Sequence, residues 1–169
     1  MLYQKYRPTT IAEMVGNEKV LASFEKHFTN PLHSHAHVIT GARGCGKSSL
    51  ARIAAKTILG ANDLGIMEVN CGTERGIAAM KDVIELATYR PPTGKARVFI
   101  LDEAHSILAP AKKALLKPTE DIPEFTYYFF CTTDPDALFS GDAGKALKST
   151  PICLIMRTNS RVVKDTSIF

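Results

Sequence analysis

Three glycines, a lysine and a hydroxyl fall together in Gly41-Ala-Arg-Gly-Cys-Gly46-Lys47-Ser48. Glycine tolerates backbone angles that other residues avoid, so such a loop can curl until successive N–H groups point inward, where phosphate oxygens would sit. Lys47 adds a point charge for β- and γ-phosphates, and the Ser48 hydroxyl one ligand for a Mg²⁺ that keeps several waters. A helix whose body begins at Ser49 contributes the partial positive charge of its N-terminus. The phosphate site read from this spacing comprises Gly41, Ala42, Arg43, Gly44, Cys45, Gly46, Lys47, Ser48 and Ser49. The competing reading is a chance glycine turn, for which average residue usage gives on the order of one match in a hundred chains of this length. The flanks decide against it: His37-Val-Ile-Thr40 reads as a strand and Leu50-Ala-Arg-Ile-Ala-Ala-Lys56 as a helix, the setting this motif requires.

A second group follows at Val98-Phe-Ile-Leu-Asp102-Glu103, where four apolar residues deliver two carboxylates to the end of a strand. Asp102 is expected to hold Mg²⁺ through water, and Glu103 to act as general base or positioner for an attacking water. Without the glycine loop, a strand ending in a solvated acidic pair would be the better reading. Thr132-Thr133-Asp134-Pro135 ends another apolar run, and a hydroxyl there could bond a γ-phosphate or the attacking water. On these residues alone, the ordinary turn signal of Asp-Pro after a strand is favoured. Asp102-Glu103-Ala104-His105 spells the label of a helicase group, but other helicase elements are missing, and His105 reads as a surface or strand-end residue. His33, His35 and His37 alternate, yet no carboxylate or thiol accompanies them, so no metal site is expected there.

The elements that must position these groups alternate. Strands are expected at His37 to Thr40, Met67 to Cys71, Arg97 to Leu101, Tyr127 to Thr132 and Ile152 to Met156, mostly as continuous apolar runs suited to burial on both faces. Helical patterns run over Asn17 to His27, Lys47 to Leu59, Gly76 to Thr88 and Pro110 to Lys117. This β-α-β order predicts an α/β fold with a parallel sheet covered by helices. Gly60 is placed to end one helix, and Arg90-Pro-Pro-Thr-Gly94 forms a turn before the next strand. Thr158 to Phe169 shows no periodicity and reads as a tail, leaving residues 1–157 as one domain.

Bulk properties agree with that picture. The chain has 169 residues, 45% hydrophobic and 22% charged, enough for one core. No apolar run approaches the roughly 18 residues of a membrane span and the N-terminus lacks a signal-peptide stretch, so a soluble intracellular protein is expected. Cys45, Cys71, Cys131 and Cys153 form no Cys-x-x-Cys pair; they are read as reduced thiols, with neither zinc nor disulfides. A net charge of +4 permits nucleic-acid contact without requiring it.

Taken in order, several segments resemble the AAA+ ATPase module of clamp-loader subunits, the family of the DNA polymerase III gamma/tau subunit and the replication factor C small subunits. They are Tyr6-Arg7-Pro8, Met14-Val15-Gly16-Asn17-Glu18, the loop at 41–48, Val69-Asn-Cys-Gly-Thr-Glu74-Arg75-Gly-Ile77, Gly94-Lys95, Ala114-Leu-Leu-Lys117 and Phe130-Cys-Thr-Thr133-Asp-Pro135. The resemblance covers about residues 2–157. It implies a five-stranded parallel sheet in which the Thr133 strand lies between the strands carrying the glycine loop and the Asp-Glu pair. Thr133 then becomes a candidate sensor. Tyr6, Arg7, Pro8 and Val15 are implied as adenine contacts, ATP and Mg²⁺ as cofactors. Arg75 and Lys81 are candidate contacts to a DNA backbone.

Implied partners are other loader subunits in an open spiral, a ring-shaped sliding clamp and primer-template DNA, in the cytoplasm or, for a eukaryotic protein, the nucleus. Three departures qualify this. Asn17 replaces a usual Gln. The cysteine zinc module of bacterial members is missing, which points toward replication factor C small subunits or viral loaders. Ser149-Thr150-Pro151 stands where the family carries Ser-Arg-Cys, whose arginine reaches a neighbouring subunit's ATP. The family's helical lid and collar are also expected to be absent from these residues. A structural ATP-binding subunit or truncated regulator, and another AAA+ ATPase such as a branch-migration helicase or initiator, remain the alternatives.

Overall fold

A computed structural model describes residues 8–14, 16, 18–30, 33–149 and 152–158, the last segment by its backbone alone. Tyr6, Arg7, Val15, Asn17, Thr150, Pro151 and the tail after Thr158 lie outside the described residues. In chain order the main elements are α1 (Glu18–Thr29), β1 (Ala36–Gly41), α2 (Lys47–Ile53), β2 (Ile66–Asn70), α3 (Ile77–Leu86), β3 (Arg97–Asp102), α4 (Ala109–Glu120), β4 (Thr126–Thr132), α5 (Pro135–Leu138), α6 (Gly141–Ser149) and β5 (Ile152–Thr158). The strands form one sheet in the order β2-β3-β4-β1-β5. Every neighbouring pair is parallel.

Alternation along the strands splits the interior into two layers. Val38, Phe99, Leu101, Tyr128 and Phe130 face a core completed by Met80 and Val83 of α3, Ala111 and Leu115 of α4, Leu138 and Leu147. Ile39, Val98, Ile100, Phe129 and Cys131 face the opposite core, filled by Leu21 and Phe24 of α1 and by Leu50, Ala51, Ala54 and Ala55. Continuous apolar runs arise because both faces of each central strand are covered. The small side chains at 51, 54 and 55 let that helix lie close to the sheet. It does not continue as a plain α-helix to Leu59: over Ala54–Ile58 it widens into a π-turn. Gly60, at φ +67°, then ends it.

α4 and α6 also depart from sequence expectation. α4 passes through Pro118, where the proline rule predicts a stop, and runs to Glu120. The Thr119 hydroxyl donates to Leu115 O at 2.9 Å and Leu116 O at 2.8 Å inside that last turn. α6 was not expected at all. Its Gly144 looks like a breaker, yet a Cβ there would meet Phe139 C at 2.5 Å and Leu138 O at 2.9 Å. That glycine is what lets α6 press against the end of α5. Among the described residues no helix is long and apolar enough to cross a membrane.

Candidate nucleotide site

The glycine loop joins β1 to α2 at the C-terminal edge of the sheet. Gly44 and Gly46 take φ values of +78° and +92°, the curl that residues with a Cβ resist. Cys45 N–H donates to Ala42 O at 3.3 Å, and Leu50 N–H to Gly46 O at 2.8 Å, starting the helix. Ala42, Arg43 and Gly44 are exposed; Gly41, Cys45, Gly46, Ser48 and Ser49 are half-buried. Lys47 is only 7% exposed. Its Nζ folds back to donate to Gly41 O at 3.0 Å and Ala42 O at 2.9 Å. A cation held by neutral carbonyls can exchange them for anionic oxygens, which form shorter and stronger bonds. The residues present therefore fit a phosphate group.

Asp102 closes β3, two strands from β1. Its carbonyl accepts Cys71 N–H at 2.8 Å and its Oδ1 accepts Glu103 N–H at 3.0 Å, which fixes the carboxylate at the strand end. Glu103 sits at φ 53°, ψ 40°, the one non-glycine residue with positive φ among the described residues. Such a conformation costs of order 1–3 kcal/mol and is retained where the surroundings impose it. Beside it, a Cβ on Gly72 would come within 3.0 Å of Asn70 Oδ1, so the glycine leaves room for the Asn70 side chain that accepts Gly72 N–H at 2.9 Å.

The left-handed step at Glu103 swings the following residues back over the sheet edge. His105 is consequently not a plain surface or strand-end residue: its Nδ1 lies 3.0 Å from Thr132 Oγ1 and its Nε2 3.4 Å from Glu103 Oε2. Sequence reading missed this contact. The available signal was the i, i+2 spacing of Glu103 and His105 directly after a buried strand.

At the end of β4, Thr132 is buried and in register with Thr40, which precedes the glycine loop. Its hydroxyl accepts Asp134 N–H at 3.0 Å and lies 3.0 Å from Asp134 O. Asp134 Oδ1 accepts Ala137 N–H at 2.9 Å and caps α5. The turn chemistry is therefore real and belongs to Thr132 and Asp134, leaving Thr133 exposed at the rim. The sheet order sets β4 between β1 and β3, so Thr133, Asp102, Glu103 and Lys47 all belong to one edge.

The remaining candidates lie elsewhere or beyond description. Arg75 and Lys81 are exposed, Arg75 in the loop before α3 and Lys81 on that helix. Pro8 is half-buried. Cys45, Cys71 and Cys131 are free thiols. Burial, with the charges of Asp102 and Glu74 behind it, pushes Cys71 up to about 12; burial likewise drives Cys131 well upward. Both stay protonated and act as small apolar side chains. His33 and His35 stack at 5.8 Å and His35 packs flat on Tyr127 at 4.4 Å. Among the described residues no group of three or more His, Cys, Asp or Glu is arranged to hold a metal ion.

Comparison with known proteins places this arrangement. A family described as "AAA domain" matches residues 33–139. A DNA polymerase III subunit gamma/tau of Mycobacterium tuberculosis is 34% identical over 157 residues, covering 80% of this chain and 27% of the relative. The DNA polymerase III subunit tau of Escherichia coli is 30% identical over 158 residues, covering 82% and 25%. This chain thus spans about a quarter of the length of these curated relatives. Among solved structures, the Thermotoga maritima RuvB Holliday junction branch migration motor superposes with a TM-score of 0.66 at 18% identity, covering 91% of this chain and 49% of that one. A DNA polymerase III gamma subunit-related protein of the same organism gives 0.63 at 16% identity, covering 85% and 46%. At such identities the structures establish a shared fold.

Proposed function

We propose, because the chain belongs to the AAA domain family, that it binds ATP at the β1–α2 loop and hydrolyses it as a subunit of a DNA sliding-clamp loader. The observation that carries this is the meeting of the Gly41–Ser48 loop, Lys47 and the Asp102–Glu103 pair at one sheet edge, in a chain similar to DNA polymerase III gamma/tau subunits. Backbone N–H groups of 41–46, Lys47 and the start of α2 would bind the phosphates. Ser48 and Asp102 are the residues that would hold Mg²⁺, which when bound would neutralise charge on phosphate oxygens. Glu103 takes the role of base or positioner for water, and Thr133 that of sensor at the neighbouring strand end. Tyr6, Arg7, Pro8 and Val15 are proposed adenine contacts, Arg75 and Lys81 contacts to a DNA backbone.

The test separates binding from chemistry. Glu103→Gln should bind ATP within about twofold of the unaltered chain while turnover falls by about 100-fold or more, the usual weight of a general base. Normal hydrolysis by that variant would sink the assignment. Other loader subunits, a clamp and primed DNA should stimulate the unaltered chain.

One observation supports a second reading. Ser149-Thr150-Pro151 offers no arginine to a neighbour, and such arginines are worth about 10³ to 10⁵ in rate. A chain that binds ATP yet shows no turnover even with partners, clamp and DNA would be a structural subunit of the same assembly.

A further inference from the structure

Thr132 Oγ1 has three polar neighbours, which one hydroxyl can meet in more than one arrangement. A hydroxyl carries one proton and two acceptor sites. One acceptor site takes Asp134 N–H, and the single hydroxyl proton can go to either His105 Nδ1 or Asp134 O, both at 3.0 Å. If the hydroxyl proton goes to Asp134 O, His105 must donate from Nδ1, and a neutral ring then turns a bare Nε2 toward the Glu103 carboxylate. If the proton goes to Nδ1, the ring carries Nε2–H, which faces Glu103 Oε2 across 3.4 Å, and Asp134 O gives up that bond. Two arrangements of one hydroxyl thus trade a hold on the Asp134 turn against a hold on Glu103. The ring and the carboxylate are 24% and 36% exposed, so the contact is partly shielded from water.

We propose that His105 is a positioning residue that couples the Thr132–Asp134 turn, and with it the exposed Thr133, to the placement of Glu103. This rests on the reading of Glu103 as the base. A disturbance at Thr133 moves its neighbour Thr132, tips the proton between Asp134 O and Nδ1, and releases or holds the carboxylate. His105 itself transfers no proton to substrate in this scheme.

Steady-state turnover and ATP affinity of the full chain, with whatever subunits it requires, supply one readout, and the imidazole nitrogen shifts of His105 in ¹⁵N NMR of the nucleotide-free chain supply another. His105→Ala should lower kcat by about 10- to 100-fold, the scale of a misplaced reacting group, with ATP affinity kept within about twofold. His105→Gln, which keeps a donor near the Nε2 position, should recover part of that loss. Adding His105→Ala to Glu103→Gln should cost nothing further. In the spectra, Glu103→Gln should move Nε2 and Thr132→Val should move Nδ1, while Thr132→Ser, which keeps the hydroxyl, should leave both near their original shifts. The proposal is overturned by any of three results: unchanged kcat in His105→Ala while Glu103→Gln is inactive, an additive loss in the double variant, or nitrogen shifts indifferent to both partners. Normal turnover in Glu103→Gln would instead overturn the assignment of the base, and the spectra would still judge the coupling. A kcat loss matched by an equal loss of ATP affinity means that His105 is merely structural.

Discussion

The two ends of the β1–β4 strand pair hold polar groups in opposite ways. At the C-terminal end, Lys47, Asp102, Glu103 and His105 meet main-chain groups or one another at a rim that remains partly open. At the N-terminal end, His27, His33, His35 and His37 pack among Phe28, Tyr127 and Phe129, and the contacts are mostly ring on ring. His37 is fully buried and stacks on Phe129 at 4.8 Å, while its Nε2 lies 3.3 Å from His27 Nε2. One end keeps charges available for exchange with a ligand; the other packs rings on rings, and burial there disfavours the charged forms of His27 and His37. Polar residues on a sheet thus mark a site only where the backbone leaves them exchangeable partners.

The largest effect expected of that difference falls on Lys47. Lys47→Ala removes a charge-assisted partner for phosphate, so ATP affinity should fall by roughly 100-fold, from about 1.5–3 kcal/mol per such bond. In thermal melts, the increase in Tm that saturating ATP gives the unaltered chain should largely vanish, with little change in the Tm of the nucleotide-free protein. Retained ATP stabilisation would mean that the loop end is as closed to ligands as the histidine end.

A smaller effect separates two glycines of the same loop. Gly44→Ala meets open space, whereas a Cβ on Gly46 comes within 3.0 Å of Met14 Cε. Both sit at positive φ, which costs about 1–2 kcal/mol for alanine. Each variant should lose a few degrees in Tm. Gly46→Ala should lose slightly more, because the flexible Met14 methyl must also give way. Equal Tm values for both variants and the unaltered chain would show that the loop relaxes freely.

The same contrast explains what could be read in the chain. Strand positions were legible nearly to the residue, since burial on both faces writes an uninterrupted apolar run, as in Val98 to Leu101. The glycine loop was legible because its conformation demands particular residues. His105 was not, because its contacts depend on the φ of Glu103, which the i, i+2 spacing of the two residues does not by itself specify. α6 was missed because Gly144 serves close approach there, a tertiary reason that overrides its poor helix propensity. The turn of α4 beyond Pro118 was missed for a similar reason: its last residues stay helical with Thr119 fully buried and its hydroxyl bonded to the Leu115 and Leu116 carbonyls.

The histidine end supplies the last prediction, with its sign fixed by burial. Burial first, then the neighbouring His33, lowers His27 below its ordinary 6.5; burial, then His27 and His33, holds His37 well below it. A second proton on the His27–His37 pair would place two cations 3.3 Å apart in an aromatic pocket. In the unfolded chain both rings titrate near 6.5, so between that value and the lower folded values the unfolded state binds more protons. Stability is therefore full above pH of about 6.5 and is lost as pH falls through the window below it, at no more than about 1.4 kcal/mol per pH unit for each group. Urea unfolding at a series of pH values should show this slope, and His37→Leu should flatten it while leaving ATP binding at the far end of β1 within about twofold. An unchanged slope in His37→Leu would assign the acid sensitivity to other groups. A loss of ATP binding would show that the two ends of the strand pair are not independent.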